Sequence, residues 1–286
     1  MTAYIKSKRF LVRLFILICV CFLAAPVTSV TSSSQNQGTK REVSTAAREK
    51  IISQLQKDEP ELLECFDETD RDGKKKFLSE IEIDLIDLNR DGRPEYHVQP
   101  VGGCMCGAQN CSFWIYRQVG DSFTLLLATN GLGLSVEKTV SNGYFDVSVG
   151  AHNNAFTRYV TYYRFNGKEY NEYKTDFENL ETGESKPANI RVRFQRGSSS
   201  TVVKGKAALG FPDTYLIGAR GGQTMTLQLN APPKRASFTV FTPDSNGILT
   251  DSATRWTGVL PESGDYSIIV DGDEKGTQYT LNISIR

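Results

Sequence analysis

The sequence predicts an all-β protein, in which two antiparallel β domains follow a signal peptide and one short helix. Short runs rich in β-branched and aromatic residues recur from about residue 77 to the end, as in SFWIYRQ, RYVTYYRF and YTLNISI. Turn residues separate these runs at intervals of about eight to twelve residues, which is the spacing of strands in a sandwich or barrel. Helical periodicity is confined to the segment that follows residue 44.

The first 29 residues have the pattern of a cleaved secretory signal. Four basic residues precede an apolar run of 12 residues, 14–25, and a helix that spans a bilayer needs about 20 residues. Small residues follow this run, and they place the predicted cleavage after Ser29. An uncleaved N-terminal anchor is the alternative. The signal predicts a periplasmic or extracellular protein, and no later segment is apolar enough to enter a membrane.

The charge of the exported chain disfavours two classes of partner. Removal of the four basic residues of the signal leaves 29 basic and 33 acidic residues, a net charge of −4. A mildly acidic surface does not attract nucleic acid or anionic lipid. The remaining 257 residues are enough for about two domains.

A polar tether and a short helix precede the first sheet. Residues 30–44 are rich in Ser, Gln and Thr and have few large apolar side chains, which predicts disorder. Ile51 and Leu55 then recur at helical spacing, and Pro60 ends the pattern. The following acidic stretch, DETDRDGKK, is interpreted as a solvated loop.

Two β domains make up the rest of the chain. The first covers residues 45–176 with the helix, and within it Asn166-Gly167 is a strong hairpin signal. The polar stretch TDFENLETGESKPAN predicts a linker at residues 177–189. Residues 190–286 then form a C-terminal β-sandwich.

Four cysteines remain after removal of the signal, and an oxidising compartment favours their pairing as disulfides. Only four residues separate Cys106 from Cys111, so these two are the predicted pair. Cys104 would share a strand face with Cys106, and it is left to reach Cys65 and tie the helix to the sheet. A zinc site or free thiols are the alternatives, although the cysteine spacing fits neither a zinc knuckle nor a C-x-x-C redox motif.

The segment IDLNRDGRPEYHV carries the most specific chemical signal of the chain. Its oxygen-bearing side chains alternate along the loop, Gly92 permits a sharp turn, and a further carboxylate follows at the ninth position. Hard oxygen ligands at this spacing suit Ca²⁺ in a structural role, and a turn without an ion is the alternative. The predicted ligands are Asp87, Asn89, Asp91, the backbone carbonyl of Arg93, and Glu95.

This loop resembles the calcium loop of FG-GAP and related bacterial exported β repeats. The resemblance extends to CGAQNCSFWIYR and YRFNGKEY, as in a bacterial exported domain with a D-L-N-x-D-G-x-P-E-Y signature, and it covers residues 77–173. A single copy of such a repeat cannot close a propeller.

No catalytic motif accompanies these features. The sequence has no G-x-S-x-G elbow, no H-E-x-x-H pair and no phosphate-binding P-loop, and its two histidines, His97 and His152, are isolated. We therefore expect a protein that is not an enzyme.

The C-terminal segment resembles two bacterial groups, the pre-peptidase C-terminal β-sandwich and the periplasmic inhibitors of g-type lysozyme. The resemblance rests on the order of DTYLIGARGGQTMTLQL, FTVFTPDSNG and WTGVLPESGDYSIIVDGDEKGTQYTLNISI. The matching positions are Gly222, Gln223, Trp256, Gly258, Leu260, Pro261, Ser263, Gly264, Asp265 and Tyr266.

The inhibitor resemblance implies a partner-binding surface. It would consist of the loop Ser263-Gly264-Asp265-Tyr266 and the hairpin 271–278, with Arg255 and Lys275 contributing positive charge. The inhibitors carry a long, Arg-rich hairpin there, suited to an acidic lysozyme cleft. Here the hairpin is the short DGDEKGTQ, which has three acids and one lysine and would be repelled by such a cleft.

Three functions follow from these patterns. The lack of catalytic groups favours a non-catalytic binding module of the cell envelope. The C-terminal resemblance favours an inhibitor of g-type lysozyme. A third alternative is an accessory protein of a secreted hydrolase system.

Overall fold

The computed structural model describes residues 42–286, apart from residues 65, 68 and 108 and the side chain of Cys104. The predicted signal peptide, almost all of the predicted tether and the predicted Cys65–Cys104 pair therefore lie outside the described residues. Within them the chain is mostly antiparallel β-sheet, and the all-β prediction is confirmed.

Helix α1 (Thr45–Asp58) forms where the apolar spacing predicts it. The Ser44 hydroxyl caps its start by accepting a hydrogen bond from the backbone amide of Ala47 (3.2 Å). Ile51 and Leu55, one turn apart, are fully buried. No helix in the described part of the chain has the length and apolar character needed to cross a membrane.

Helix α2 (Arg71–Glu80) replaces part of the expected solvated loop. The Asp70 carboxylate accepts a hydrogen bond from the backbone amide of Gly73 (2.9 Å), so this acidic residue is an N-cap. Phe77 is the buried residue of the helix. The acidic composition of this stretch thus reflects the start of a helix.

The first sheet consists of β1 (Glu82–Ile86), β2 (Glu95–Gln99), β3 (Cys111–Val119) and β4 (Ser122–Gly131), hydrogen-bonded in that order. The middle of β3 is buried on both faces. Trp114 and Tyr116 on β3 join the core formed with the helices, whereas Ile115 between them joins the core formed with the next sheet. β3 therefore lies at the centre of a three-layer arrangement.

The second sheet consists of β5 (Leu134–Ser141), β6 (Tyr144–His152), β7 (Thr157–Phe165), β8 (Tyr170–Asn179) and β9 (Ser185–Pro187), again in sequence order. The Asn166-Gly167 hairpin is confirmed. The connection between β7 and β8 is closed by a hydrogen bond from the Asn166 amide to the Glu169 carbonyl (2.9 Å).

The predicted linker, residues 177–189, is ordered structure. It contains the end of β8, an exposed turn and β9, which pairs with β8. Polar turn residues here belong to a hairpin at a sheet edge, which composition alone does not distinguish from a linker. The described residues form part of one compact unit, and the division into two domains stays a prediction.

The C-terminal strands form a two-sheet sandwich. They are β10 (Ile190–Arg191), β11 (Ser200–Ala207), β12 (Asp213–Ala219), β13 (Thr224–Asn230), β14 (Ala236–Phe241), β15 (Ile248–Ala253), β16 (Arg255–Val259), β17 (Gly264–Gly272) and β18 (Thr277–Ile285). One sheet has the order β10-β12-β17-β14-β15 and the other the order β11-β18-β13-β16. Their inner faces enclose one core, which includes Tyr215, Leu227, Phe238, Tyr266, Ile268 and Leu281.

Cys106 and Cys111, the pair predicted from their spacing, form a disulfide at the start of β3. We expect the Cys106→Ser/Cys111→Ser variant to lose about 2 kcal/mol of unfolding free energy, the chain-entropy value for so short a loop. Urea unfolding of the variant and the wild type at equal protein concentration measures the difference. A loss below about 0.5 kcal/mol would mean that the bond does not constrain the unfolded chain as this relation requires.

Candidate functional site

The loop that the sequence assigns to partner binding lies at one end of the C-terminal sandwich. It connects β16 to β17, and its residues Glu262 and Ser263 are exposed. The turn between β12 and β13, residues 220–223, lies beside it. We call residues 220–223 and 260–265 together the Ser263 end.

Hydrogen bonds fix the two turns of the Ser263 end to each other. The Gly221 amide donates to Ser263 Oγ (3.0 Å), and the Gly222 amide donates to the Leu260 carbonyl (2.8 Å). The Leu260 amide donates in return to the Gln223 carbonyl (2.8 Å). The exposed surface at this end is therefore held in one shape before any partner binds, which lowers the ordering cost of binding.

Tyr266 stabilises this loop from within the core. Its side chain is fully buried, and its hydroxyl donates to the Glu262 carbonyl (2.6 Å). This corrects the expectation that Tyr266 touches a partner, because it has no exposed surface. Gly264 has φ +156°, and a Cβ there would collide with the Pro243 ring, so a side chain is excluded at this position.

Asp265 is exposed, but its charge is paired. Arg191 on β10 donates to both of its carboxylate oxygens, at 2.5 and 2.7 Å. The hydrogen bonds from Arg191 lower the pKa of the Asp265 carboxyl, so it stays ionised at neutral pH. The pair therefore presents little net charge to a partner.

Three further arginines lie at or next to the Ser263 end. The segment 192–199 leaves β10 beside β12, crosses between the sheets at this end, and leads into β11. Just before β11, the Ser199 carbonyl accepts a hydrogen bond from the Ile285 amide. This segment carries exposed Arg193 and Arg196, and the turn 220–223 carries exposed Arg220.

The charge balance of this region is positive. None of these three guanidinium groups has an ion-pair or hydrogen-bond partner among the described residues. The neighbouring carboxylates are Glu262, Asp244 and the paired Asp265. Three arginines counted against the unpaired Glu262 and Asp244 leave a net charge of +1, so an acidic partner surface would meet a small positive excess at this end.

The other residues predicted to bind a partner lie at the opposite end of the sandwich. β17 runs for nine residues from Gly264 to Gly272, which is eight steps of 3.3 Å or roughly 26 Å. Lys275 lies in the turn beyond β17, and Arg255 lies at the start of β16, at the same far end. The single surface expected from the sequence is thus two separate surfaces.

The predicted calcium loop is held by its own polar side chains. Asp87 Oδ2 accepts from the Gly92 amide (3.1 Å), Asn89 Oδ1 accepts from the Asp91 amide (3.0 Å), and Asp91 Oδ1 accepts from the Arg93 amide (2.7 Å). These bonds hold the loop in a tight turn. Arg93 is exposed.

Glu95 lies away from the solvent-exposed part of the loop. It is buried, and its carboxylate accepts from the Leu88 amide (2.9 Å) and from the Tyr144 hydroxyl (3.2 Å). Burial raises the pKa of this carboxyl above its ordinary value. Among the described residues no group of three or more Asp, Glu, His or Cys side chains could hold a metal ion. A Ca²⁺ ion at this loop stays a prediction.

Both histidines are partly buried, and His97 Nε2 and His152 Nδ1 have no hydrogen-bond partner among the described residues. His97 stacks edge-on against Phe113, with ring centroids 5.0 Å apart, and burial lowers its pKa. The backbone of His152 is held by the Asn110 side chain, which accepts from its amide (2.9 Å) and donates to its carbonyl (3.0 Å).

Comparison with known proteins finds solved structures that are similar to about a third of the chain. No family model matches the chain, and no curated protein matches it. Nothing in the comparisons supports the resemblance of residues 77–173 to FG-GAP repeats.

Several solved structures are similar to part of the chain. A periplasmic inhibitor of g-type lysozyme from Aeromonas hydrophila is 28% identical, covers 35% of this chain and 96% of its own, and has a TM-score of 0.30. Its counterpart from Salmonella Typhimurium is 24% identical, with coverages of 35% and 100% and a TM-score of 0.28. The pre-peptidase C-terminal domain of a Bacillus anthracis collagenase is 12% identical, with coverages of 34% and 94% and a TM-score of 0.26.

Sequence reasoning missed Arg191, Arg193, Arg196 and Arg220. A signal was present in RVRFQRG, where basic residues repeat around buried Val192. The position of Arg191, Arg193 and Arg196 beside a loop about 70 residues later depends on the β10–β12 pairing and on the crossing between sheets. Arg220, about 40 residues before that loop, is placed beside it by the β12–β17 pairing. Local sequence shows none of these.

Proposed function

We propose that this protein is an exported, non-catalytic binding protein of the cell envelope, and that its C-terminal sandwich inhibits a g-type lysozyme through the Ser263 end. The observation that carries the proposal is the placement of that end. It brings a fixed, exposed loop together with three arginines that form no ion pair with the described residues, and it lies at the opposite end of the sandwich from the acidic hairpin.

This placement removes the electrostatic objection raised by the sequence. A hairpin with three acids would be repelled by an acidic cleft if it had to enter that cleft beside Ser263. At roughly 26 Å it lies well beyond the Debye length of about 8 Å at physiological salt, so its charge is screened at the contact. Arg193, Arg196 and Arg220 supply attraction instead.

Export supports the same assignment. The basic and apolar pattern of residues 1–29 fits a secretory signal, and the Cys106–Cys111 disulfide suits an oxidising compartment such as the periplasm. A lysozyme and its inhibitor must meet in that compartment.

A lysis assay tests the proposed inhibition. We expect the full-length protein, exported and purified, to slow the clearing of bacterial cells by g-type lysozyme. The Arg193→Glu/Arg220→Glu variant should need roughly 10- to 100-fold more protein for half-inhibition, since reversed charges repel an acidic cleft. Ser263→Arg should act similarly by placing a bulky side chain in the contact.

The control variant carries the same change of net charge at a surface away from the Ser263 end. Lys138→Glu/Lys168→Glu alters exposed residues in the first two sheets, strands β1–β9, which we call the first β region, and it should inhibit like the wild type. Unchanged lysis at a large molar excess of folded wild-type protein would remove the inhibitor proposal. Equal loss in both double variants would show that net charge, and not the Ser263 end, determines inhibition.

We also propose that the loop 87–95 binds one Ca²⁺ ion with a structural role. Its support is the donor set: side-chain oxygens of Asp87, Asn89 and Asp91 recur at alternate positions of a tight loop, and mutual repulsion of the carboxylates would fall on binding a cation. Glu95 would contribute only while keeping its buried hydrogen bonds, so the protein would hold the ion mainly through the exposed part of the loop.

Calcium should stabilise the protein by linkage. At a free concentration 100 times the dissociation constant, binding adds about 2.7 kcal/mol to the unfolding free energy. In a chain of this size that corresponds to a rise in melting temperature of about 5–10 °C over chelator-treated protein. Asp91→Ala should abolish the rise, and Asp121→Ala, a change at an exposed carboxylate outside the loop, should keep it. An identical melting temperature with calcium and with chelator would contradict the site.

A further inference from the structure

The outer face of the sheet β11-β18-β13-β16 is open and polar. Along each strand, residues such as Leu229 and Leu281 join the core, and the residues that alternate with them point outward. Cross-strand pairing aligns the outward residues in rows, and two of these rows are Ser200–Ser284–Thr226–Thr257 and Val202–Asn282–Gln228–Arg255. Val202 and Val259 are 56% and 67% exposed, so the other described residues do not cover this face.

The charges on this face are all positive. Among the outward residues of the four strands, Lys204, Lys206 and Arg255 are basic and none is acidic. None of these three side chains forms an ion pair with a described residue. The face thus presents cations without the carboxylates that usually accompany them on a protein surface.

The turn between β17 and β18 does not cancel this charge. It lies beside Lys206, because a Cβ at Gly276 would be 3.1 Å from Lys206 Cε. Within the turn, Asp273 is already paired with an arginine, and the charges of Glu274 and Lys275 offset each other. The two lysines of β11 therefore remain uncompensated.

A depression of about 660 Å³ lies at the lysine end of the face. Lys204, Lys206, Asn230, Gln278 and Thr280 line it, and no acidic residue does. The Asn230 amide donates to the Thr280 hydroxyl (3.4 Å), and Thr280 is the cross-strand neighbour of Lys204. The two lysines are two residues apart on one strand, roughly 6.6 Å between their Cα atoms. Two cations, a hydroxyl and an amide thus meet in one place.

Uncharged hydrogen-bonding groups make up the rest of the face. Apart from the three cations and two valines, every outward residue of the four strands is Ser, Thr, Asn or Gln. Hydroxyl and amide side chains both donate and accept, as the hydroxyls of a sugar require. A protein partner would need aromatic or large apolar anchors, and single-stranded nucleic acid would need aromatic rings for base stacking. The outward residues include no aromatic side chain.

We propose that this face binds an acidic polysaccharide, a chain of sugars that carries carboxylates. Lys204 and Lys206 would pair with a carboxylate in the depression, and the rows of hydroxyls and amides would bind the sugar hydroxyls. Arg255 lies three strands from Lys204, roughly 16 Å away at 4.8 Å per strand and 3.3 Å per residue, so an extended ligand would reach both. The depression lies toward the end of the sheet opposite the Ser263 end, so this binding is separate from inhibition of a lysozyme.

Titration calorimetry of the full-length protein with tetragalacturonic acid tests the ligand class. At neutral pH and low ionic strength, where surface charges are weakly screened, we expect saturable binding with a dissociation constant on the order of 0.1–1 mM. The methyl ester has the same sugars without the charges and should bind at least tenfold more weakly. An oligothymidylate with the same number of charges should also bind at least tenfold more weakly. No saturable binding of the acid, or equal binding of the ester or of the oligothymidylate, would overturn the proposal.

Three variants locate the site. Lys204→Gln/Lys206→Gln should weaken the binding of tetragalacturonic acid at least tenfold, and Thr280→Val should weaken it about threefold through loss of a hydroxyl. Lys138→Gln/Lys168→Gln removes the same charge from exposed positions of the first β region and should bind like the wild type. Urea unfolding establishes that each variant is folded under the titration conditions. Full binding in the folded Lys204→Gln/Lys206→Gln variant, or an equal loss in the two lysine variants, would refute the assignment.

Discussion

We expect Asp213→Ala to lower the free energy of unfolding by about 3–5 kcal/mol, the usual loss when one member of a buried ion pair is removed. Lys186 Nζ lies 2.7 Å from Asp213 Oδ1, and the two side chains are only 15% and 5% exposed. Without Asp213 the ammonium group of Lys186 would keep the Phe211 carbonyl (3.0 Å) as its acceptor but would have no opposite charge nearby.

The same carboxylate holds a buried chain of hydroxyls. Tyr279 donates to Asp213 Oδ2 at 2.5 Å, and the Tyr279 and Tyr215 hydroxyls are 2.8 Å apart. Burial, followed by the hydrogen bond to Asp213, raises the pKa of Tyr279 well above its ordinary value. Asp213 thus joins β9 of the first β region to two strands of the sandwich, and its loss should destabilise both parts of the protein.

Urea unfolding of four proteins tests this prediction. Lys186→Met/Asp213→Leu should recover much of the stability lost by Asp213→Ala, because apolar replacement of a whole buried pair is often neutral. Asp121→Ala, which breaks the exposed pair with Lys50, should cost less than about 1 kcal/mol. A loss below about 1 kcal/mol for Asp213→Ala would show that water reaches Lys186 and that the pair is not effectively buried.

Gly272→Ala should lower the unfolding free energy by about 3 kcal/mol, at the upper end of the usual cost of overpacking. A Cβ at Gly272 would collide with the carbonyl of Ala207 and with the main chain of Ala208. Backbone atoms at the crossing of β11 and β17 cannot rotate away as a flexible side chain can, so the two sheets would have to separate locally.

Gly150→Ala is the matched control for this substitution. Gly150 also lies in a strand, but the nearest atom to its added Cβ would be Arg158 Cδ at 3.7 Å, an ordinary contact. Its stability should stay within about 0.5 kcal/mol of the wild type or rise slightly, since alanine restricts the unfolded chain. Similar losses in the two variants would mean that glycine flexibility, and not the close approach at Gly272, decides the outcome.

Sequence patterns predicted the strands because alternation and β-branched composition are local properties. They also located α1, since Ile51 and Leu55 mark its buried face. They missed α2 because an acidic N-cap and a solvated acidic loop have the same composition, and only the Asp70–Gly73 hydrogen bond distinguishes them. The hairpin of β8 and β9 within the predicted linker was missed for a comparable reason, because polar turn residues have the same composition in a hairpin and in a linker.

The candidate site was predictable only as far as its loop. Residues 263–278 are close in sequence, which suggested a single surface, but β17 is extended and places its two ends on opposite sides of the domain. Arg193 and Arg220 lie near Ser263 through strand pairing, which adjacent residues do not specify. Resemblance to a motif was enough to predict the loop. The arginines around the loop could be identified only from the three-dimensional structure.

Hydrogen–deuterium exchange of the full-length protein, alone and with saturating g-type lysozyme, tests the central claim most directly. We predict that lysozyme lowers deuterium uptake in peptides that cover residues 192–199, 218–224 and 260–265. Peptides that cover residues 231–237 and 272–276 should exchange as in the free protein. Protection confined to the far end of the sandwich or to the first β region, or no protection anywhere at saturating lysozyme, would contradict the assignment of the Ser263 end as the inhibitory surface.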